Sequence, residues 1–402
     1  MSEHSSLWRM SARGLALTDS AIRALSKRIA STSGIVSFAG GMPSPVTFPE
    51  AAFARAFEHV LRHSGHIALQ YGPTDGFPPL RAWIADALST TDRRILPEQV
   101  LITSGSQQGL DLIGKVMLDV DDRIAVETPT YLGALQGLGM YFPRYLSLPS
   151  DEDGLIPDQV EDTLRRTAAA GDCKMIYAIP TFQNPTGRTL PLARRVALVE
   201  ASRRSGVPLV EDDPYAALAY DGRQHTTLLS LGGDNVIYLG SFSKILSPGI
   251  RLGYLVAPLP VIRKLEMAKQ ASDLHTSTLM QHVVFEIIKD GFLTQHLKIC
   301  RAHYHANAAS MHDALNLHLR DCARWTTPTG GMFLWLTLLQ PMDTSVLLDA
   351  ALAAGVAYVP GGPFFARSPE VNTMRLCFST GTPESIARGI GILGRVVRAG
   401  IA

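Results

Sequence analysis

A chain of 402 residues with 46% hydrophobic and 18% charged side chains carries enough apolar material for a sizeable core, on the scale of two domains. Its 37 Lys and Arg against 36 Asp and Glu leave a formal net charge of +1, which excludes a global field for nucleic acid or an anionic membrane. The scattered cysteines Cys173, Cys300, Cys322 and Cys377 form no CxxC pair, so they read as reduced thiols of a cytoplasmic protein, with no disulfide framework and no metal site. The opening residues are polar and mixed, without the apolar stretch of a signal peptide. The apolar run around 346–360 contains Asp349 and is too short to span a bilayer.

Ile22, Leu25 and Ile29 recur at helical spacing and predict a helix over 19–31, with Ser20 as a cap. Arg23 in that helix reads, on spacing, as part of a solvated basic face. Residues 35–43 read as a short strand running into Gly40 and Gly41, where paired glycines let backbone pass close to a ligand or a neighbouring helix. A helical pattern over 49–61 leads to the turn-rich loop 69–76 and its one aromatic, Tyr71. Such a ring is ordinary packing or, in an oligomer, a reach into a neighbour's site.

A regular alternation of strand and helix then begins. Strand 100–103 runs through Ser104-Gly105-Ser106-Gln107-Gln108 into a helix over 110–118, and a glycine–serine turn at a helix N-terminus is a ready seat for phosphate. Strand 124–127 ends in Thr128-Pro129-Thr130-Tyr131, whose ring is suited equally to stacking on a planar cofactor and to filling a core. Strand 175–180 leads to the turn Asn184-Pro185-Thr186-Gly187, with an amide free to donate above the strand. After a helix over 192–205, the strand at 207–210 ends in Glu211, Asp212, Asp213 and Tyr215. Carboxylates capping a buried strand are costly unless a cation meets them, and a protonated pyridine nitrogen is such a cation.

Strand 236–239 delivers Ser241, Ser243 and Lys244, and Arg251 follows seven positions later. Hydroxyls and a guanidinium fork for an anion, beside an amine, are what pyridoxal phosphate requires. Strands alternating with helices, each ending in a polar or aromatic cluster, predict an α/β fold with a mostly parallel sheet and its chemistry along one edge. After 291 the texture changes. A helical stretch over 292–319, strands within 330–337, 355–362 and 372–379, and a closing helix over 385–398 predict a smaller α+β domain. The expected division is an arm over 1–48 that joins the small domain and covers the site, a large domain over 49–291 and the small domain over 292–402. Arg375 inside an apolar strand needs a carboxylate, either structural or a substrate's.

Taken together, Phe38-Ala-Gly-Gly-Met-Pro43, Gln70-Tyr-Gly72, Thr103-Ser-Gly-Ser-Gln-Gln108, Glu127-Thr-Pro-Thr-Tyr131, Asn184-Pro-Thr-Gly187, Glu211-Asp-Asp-Pro-Tyr215, Ser241-Phe-Ser-Lys-Ile245, Pro248-Gly-Ile-Arg-Leu-Gly253 and Arg375-Leu-Cys-Phe-Ser379 resemble the fold-type I pyridoxal phosphate enzymes. The likeness is to the class I/II aminotransferases, in the subgroup acting on 2-aminoadipate, kynurenine and other broad aromatic substrates, and it spans nearly the whole chain.

The resemblance implies that Lys244 carries the cofactor as a Schiff base and moves the substrate proton. It implies that Asp212 pairs with the pyridinium, that Tyr131 stacks on the ring as a further catalytic residue, and that Asn184 and Tyr215 bond the cofactor's 3-oxygen. Ser106, Gln107, Ser241, Ser243 and Arg251 would hold the phosphate, with Tyr71 reaching the partner's phosphate in a twofold homodimer. Arg375 would clamp the substrate α-carboxylate, assisted by Asn184 and the Gly40 backbone. Ser20 and Arg23, and more broadly Tyr71, Phe364 and the turn at Gly361 and Gly362, would border the substrate side chain.

The implied reaction is transamination between an acidic, aromatic or long aliphatic amino acid and a 2-oxo acid such as 2-oxoglutarate or pyruvate, through pyridoxamine phosphate. A β-lyase on the same scaffold and a non-catalytic amine sensor are the alternatives. About twenty residues before the first helix leave no room for the DNA-binding module of the sensing relatives, and no GxGxxG follows a predicted strand to suggest a nicotinamide enzyme.

Overall fold

The computed structural model describes residues 9–17, 25, 27–29, 34–167 and 173–401. The predicted helix over 19–31 lies largely outside them, and with it Ser20 and Arg23. Fifteen strands are numbered here in chain order: β1 Val36–Ser37, β2 Val100–Thr103, β3 Arg123–Glu127, β4 Arg144–Leu148, β5 Ser150–Asp151, β6 Gly154–Leu155, β7 Cys173–Ala178, β8 Leu209–Asp212, β9 Val236–Ser241, β10 Gly253–Val256, β11 Ala323–Trp325, β12 Phe333–Leu338, β13 Val356–Ala357, β14 Val359–Pro360 and β15 Thr373–Cys377. Seven of them form the main sheet in the order β2-β10-β9-β8-β7-β3-β4. Every pairing in it is parallel except those of β10, which runs against both β2 and β9.

Both faces of this sheet are covered, and the strand period of two shows how. Leu101, Val126, Tyr177, Val210, Leu239 and Leu255 point into one core, and Ile102, Ala125, Ile176, Leu209, Tyr238 and Val256 into the other. Burial on both sides is why the strands read as continuous apolar runs. A second, antiparallel sheet has the order β11-β12-β15-β14, and β1 pairs in parallel with β13, so chain near the N-terminus joins the C-terminal part.

The sheet is mostly parallel, as expected, but β4 and β10 add strands that the sequence reading lacked. β10 starts on Gly253 directly after a stretch read as ligand loop, so its strand character was masked. The helix after β2 spans Ser106–Met117 and begins four residues before the expected start at 110. Its first turn, Ser106-Gln107-Gln108, is polar and shows no apolar period.

Candidate active site

In a parallel sheet the strands end along one edge, so the residues that follow them meet there. β10 runs the other way and therefore begins at that edge, with Gly253 paired to both Thr103 and Ser241. Arg251, just before it, is delivered to the same place. The result is a cavity of about 290 Å³ lined by Gly40, Gly41, Met42, Ser106, Gln107, Tyr131, Ile179, Asn184, Asp212, Pro214, Tyr215, Ser241, Ser243, Lys244, Pro248, Arg251 and Arg375.

Lys244 lies in the turn after β9 and its Nζ donates to the Gly41 carbonyl at 2.9 Å. Burial lowers its pKa to about 8, with nearby Arg375 and Arg251 pressing the same way. Asp212, at the end of β8, is buried, and its Oδ2 accepts from the Tyr177 hydroxyl at 2.7 Å. Its Oδ1 is buried with no hydrogen-bond partner, and burial raises the carboxyl to about 7. A buried carboxylate oxygen left open costs free energy that a cationic N–H in the cavity would recover.

The turn at Gly105 is the candidate anion seat. Gly105 caps the helix Ser106–Met117 with φ of 91° and no side-chain bond to the free N–H groups. A Cβ on it would lie 2.6 Å from Arg251 Nη2, and one on Gly253 would lie 2.8 Å from the Ser106 nitrogen, so both glycines keep this cradle open. Arg251, itself left-handed at φ of 50°, donates to the Ser104 carbonyl at 3.1 Å. Ser241 and Ser243 stand beside it, with the Ser243 N–H on Ser241 Oγ at 3.1 Å. Gln107 also lines the cavity, and its side chain donates to the Gly133 carbonyl at 2.9 Å.

Arg375, on β15, is fully buried yet meets no carboxylate among the described residues. It donates to Asn184 Oδ1 at 2.9 Å and to the carbonyls of Ala39 and Gly40 at 2.9 and 2.8 Å, and its Nε has no partner. Phe333 and Phe364 lie under the guanidinium at 4.5 and 5.2 Å, holding its plane. Burial lowers its pKa from the usual arginine value. Tyr215 packs edge-on against Phe333 at 5.6 Å, and burial raises its phenol, as it does that of Tyr131. Gly133 makes room for the Tyr131 ring, because a Cβ there would meet it.

Of the residues expected at the site, Tyr71 does not line this cavity. It is 78% exposed in the loop after the helix Glu50–Ala68, edge-on to His275 at 5.6 Å. The sequence reading missed Tyr177, the Gly41 carbonyl and Phe333. Tyr177 was discoverable, since the strand period turns it to the same core as Val126 and Val210 on the neighbouring strands.

An amine, an unsatisfied carboxylate and an open anion cradle in one cavity fit pyridoxal phosphate, and a doubly wound main sheet with a smaller C-terminal sheet is the fold-type I, aspartate aminotransferase-like architecture. Residues 35–393 match the family model for aminotransferase class I and II, and the chain belongs to that family. It is similar to the 2-aminoadipate transaminase of Thermus thermophilus, 43% identical over 383 residues and covering 94% of both chains. It is also similar to aromatic-amino-acid aminotransferase 1 of Thermococcus litoralis, 41% identical over 391 residues, with 96% of this chain and 94% of that one covered. Among solved structures, the alpha-aminoadipate aminotransferase of Thermus thermophilus complexed with N-(5'-phosphopyridoxyl)-L-leucine superposes with a TM-score of 0.90 at 40% identity, covering 100% of this chain and 99% of that one. The protein is a pyridoxal phosphate-dependent aminotransferase that passes an amino group between an amino acid and a 2-oxo acid.

Proposed function

We propose that the enzyme transfers the amino group of acidic and aromatic amino acids, 2-aminoadipate and the aromatic series first among them, to 2-oxoglutarate or a similar acceptor. The observation that carries this reading is a buried guanidinium with no carboxylate partner among the described residues, Arg375, opening on the cavity of Lys244 and Asp212. A bidentate clamp on the α-carboxylate completes its hydrogen bonds. The names of the relatives supply the side-chain classes.

Bound pyridoxal phosphate supplies an electron sink for the pair released from the substrate's Cα–H bond. Lys244 would hold it covalently, Asp212 Oδ1 would accept from its ring N–H, and Asn184 and Tyr215 would meet its 3-oxygen. The N–H groups of the first turn at Ser106, with Ser241, Ser243 and Arg251, would hold its phosphate. An amine pKa of about 8 leaves a working fraction of Lys244 unprotonated at neutral pH, so its Nζ can take the Cα proton and give it back. Asn184 serves twice, steadying Arg375 while facing the cofactor. Tyr131 would close the ring's exposed face, and Ile179 and Met42 would line the route for the substrate side chain.

The working unit is proposed to be a homodimer in the cytoplasm, with Tyr71 offered to the partner's phosphate. The apolar residues Ile67, Leu69 and Leu274 are exposed around Tyr71 and His275, as an interface requires. We also read the molecule as an arm over 1–48, a large domain over 49–291 and a small one over 292–402, in keeping with its two main sheets.

The test is to add a panel of amino acids to purified holoenzyme and follow the cofactor's visible band. Acidic and aromatic donors should bleach it, and a 2-oxo acid should restore it. Lys244→Ala should show neither the band of the resting enzyme nor turnover. Bleaching that releases ammonia and does not reverse would replace transfer with elimination, and full turnover by the Lys244→Ala variant would remove the assignment of the base.

A further inference from the structure

The turn of the proposed anion seat has one local brace, the Thr103 hydroxyl, which donates to the Gly105 carbonyl at 3.1 Å. Gly105 is free to adopt many conformations, and no side chain caps the helix it begins. Arg251 aside, what further holds it is a network none of whose members lines the cavity. Lys269, on the helix Leu259–Asp273, is 0% exposed. Its Nζ lies 2.7 and 2.9 Å from the two carboxylate oxygens of Asp273 and 3.3 Å from Gln108 Oε1. Asp273 Oδ2 also accepts from Gln108 Nε2 at 2.6 Å and from Ser104 Oγ at 3.2 Å, and Gln108 Oε1 accepts the Ser104 N–H at 2.7 Å. Ser104, the residue before Gly105, is thereby gripped at its nitrogen and hydroxyl by the network and at its carbonyl by Arg251.

Charge points the same way. A buried ammonium is expensive, and an apolar side chain would fill the place of Lys269 at less cost to folding. Asp273 alone behind an anion seat would oppose a dianion; Lys269 cancels that field while leaving both carboxylate oxygens available as acceptors. The Ser104 hydroxyl also lies 3.2 Å from Thr276 Oγ1, which ties the same turn to the segment beside His275.

We propose that Lys269, Asp273 and Gln108 are positioning residues that lock the Ser104–Gly105–Ser106 turn in the shape that receives the cofactor's phosphate. The inference rests on the reading of that turn as the phosphate seat. It makes a selective demand: the network matters for a ligand that carries the phosphate and is indifferent to one that lacks it.

The experiment compares the affinity of the apoprotein for pyridoxal phosphate and for pyridoxal, by titration of visible absorbance, in the wild type, Lys269→Met, Gln108→Leu and Arg251→Ala. Lys269→Met and Gln108→Leu should each weaken pyridoxal phosphate by about tenfold or more, the worth of one hydrogen bond at a charged site, and leave pyridoxal within about twofold. Lys269→Arg, which keeps the charge, should recover part of the loss. Gln108 is only partly buried and Leu is close to it in size, so Gln108→Leu decides the matter alone if Lys269→Met does not fold. Equal losses for both ligands, or none for either, would reduce the network to plain structural packing and overturn the proposal. If Arg251→Ala loses its preference for the phosphorylated ligand while the network variants keep theirs, the positioning role falls and the phosphate seat stands. If Arg251→Ala also keeps that preference, the seat itself has been misplaced.

Discussion

Glu127 closes β3 with its carboxyl 4% exposed, and its Oε2 accepts the Ile179 N–H at 2.8 Å. Burial raises it from an ordinary 4.5 to about 7, with the charge of Asp212 adding to the rise. A carboxyl whose pKa is higher folded than unfolded contributes stability that is fully present below about 4.5 and lost as the pH rises through about 7. Glu127→Gln keeps an acceptor for Ile179 and removes the titration. Thermal melts of the apoprotein between pH 5 and 8 should therefore fall less steeply for the variant, the difference reaching on the order of 3 kcal/mol. Parallel curves would mean that the carboxyl does not carry the burden assigned to it. Tyr177 escaped the sequence reading, and Glu127 entered it only within a motif, because both act sideways, through hydrogen bonds to neighbouring strands. Lys244 and Asp212 stood out because a charged group at the end of an apolar strand has no cheap structural explanation, and Arg375 because it lies inside one.

At the scale of elements, the reversed strand β10 does work that no local pattern announces. It fills the place between β2 and β9 and brings Gly253 against the Gly105–Ser106 backbone, the proposed anion seat. Here backbone meets backbone, so a methyl group has nowhere to go. Gly253→Ala should cost about 1–3 kcal/mol of stability by overpacking and should lower the affinity for pyridoxal phosphate, read by chemical denaturation and by cofactor titration. Gly249→Ala, whose Cβ would find only Ser247 Oγ at 3.7 Å, is the control and should leave cofactor affinity unchanged. Normal affinity in Gly253→Ala would show that the turn tolerates displacement. The alternation of strand and helix was readable because sheet residues buried on both faces form unbroken apolar runs. The direction of β10 was not, because strand pairing is decided by contacts far apart in sequence.

For the molecule as a whole, the expected mostly parallel sheet has its counterpart in the structure, while the division near 291 is a reading of the sequence and the association of copies was read from a resemblance. Tyr71 gives that reading an edge. Sedimentation at micromolar concentration should show a dimer for the wild type and for Tyr71→Phe, and the variant should hold pyridoxal phosphate about tenfold more weakly for want of one hydrogen bond to the phosphate. A monomeric wild type, or a dimeric variant with unaltered affinity, would leave Tyr71 without a role in its neighbour's site.

The pairing of β1 with β13, and the clasp of Arg375 on carbonyls 335 and 336 positions earlier, set a timetable for biosynthesis. Because chains are made from the N-terminus, Ala39, Gly40 and Lys244 leave the ribosome long before β15 exists. A nascent chain can assemble most of the main sheet during translation, yet the Arg375 clasp on Ala39 and Gly40 is absent until β15 has followed. Premature stops between Lys244 and β15 therefore yield products that keep the lysine and lack the guanidinium.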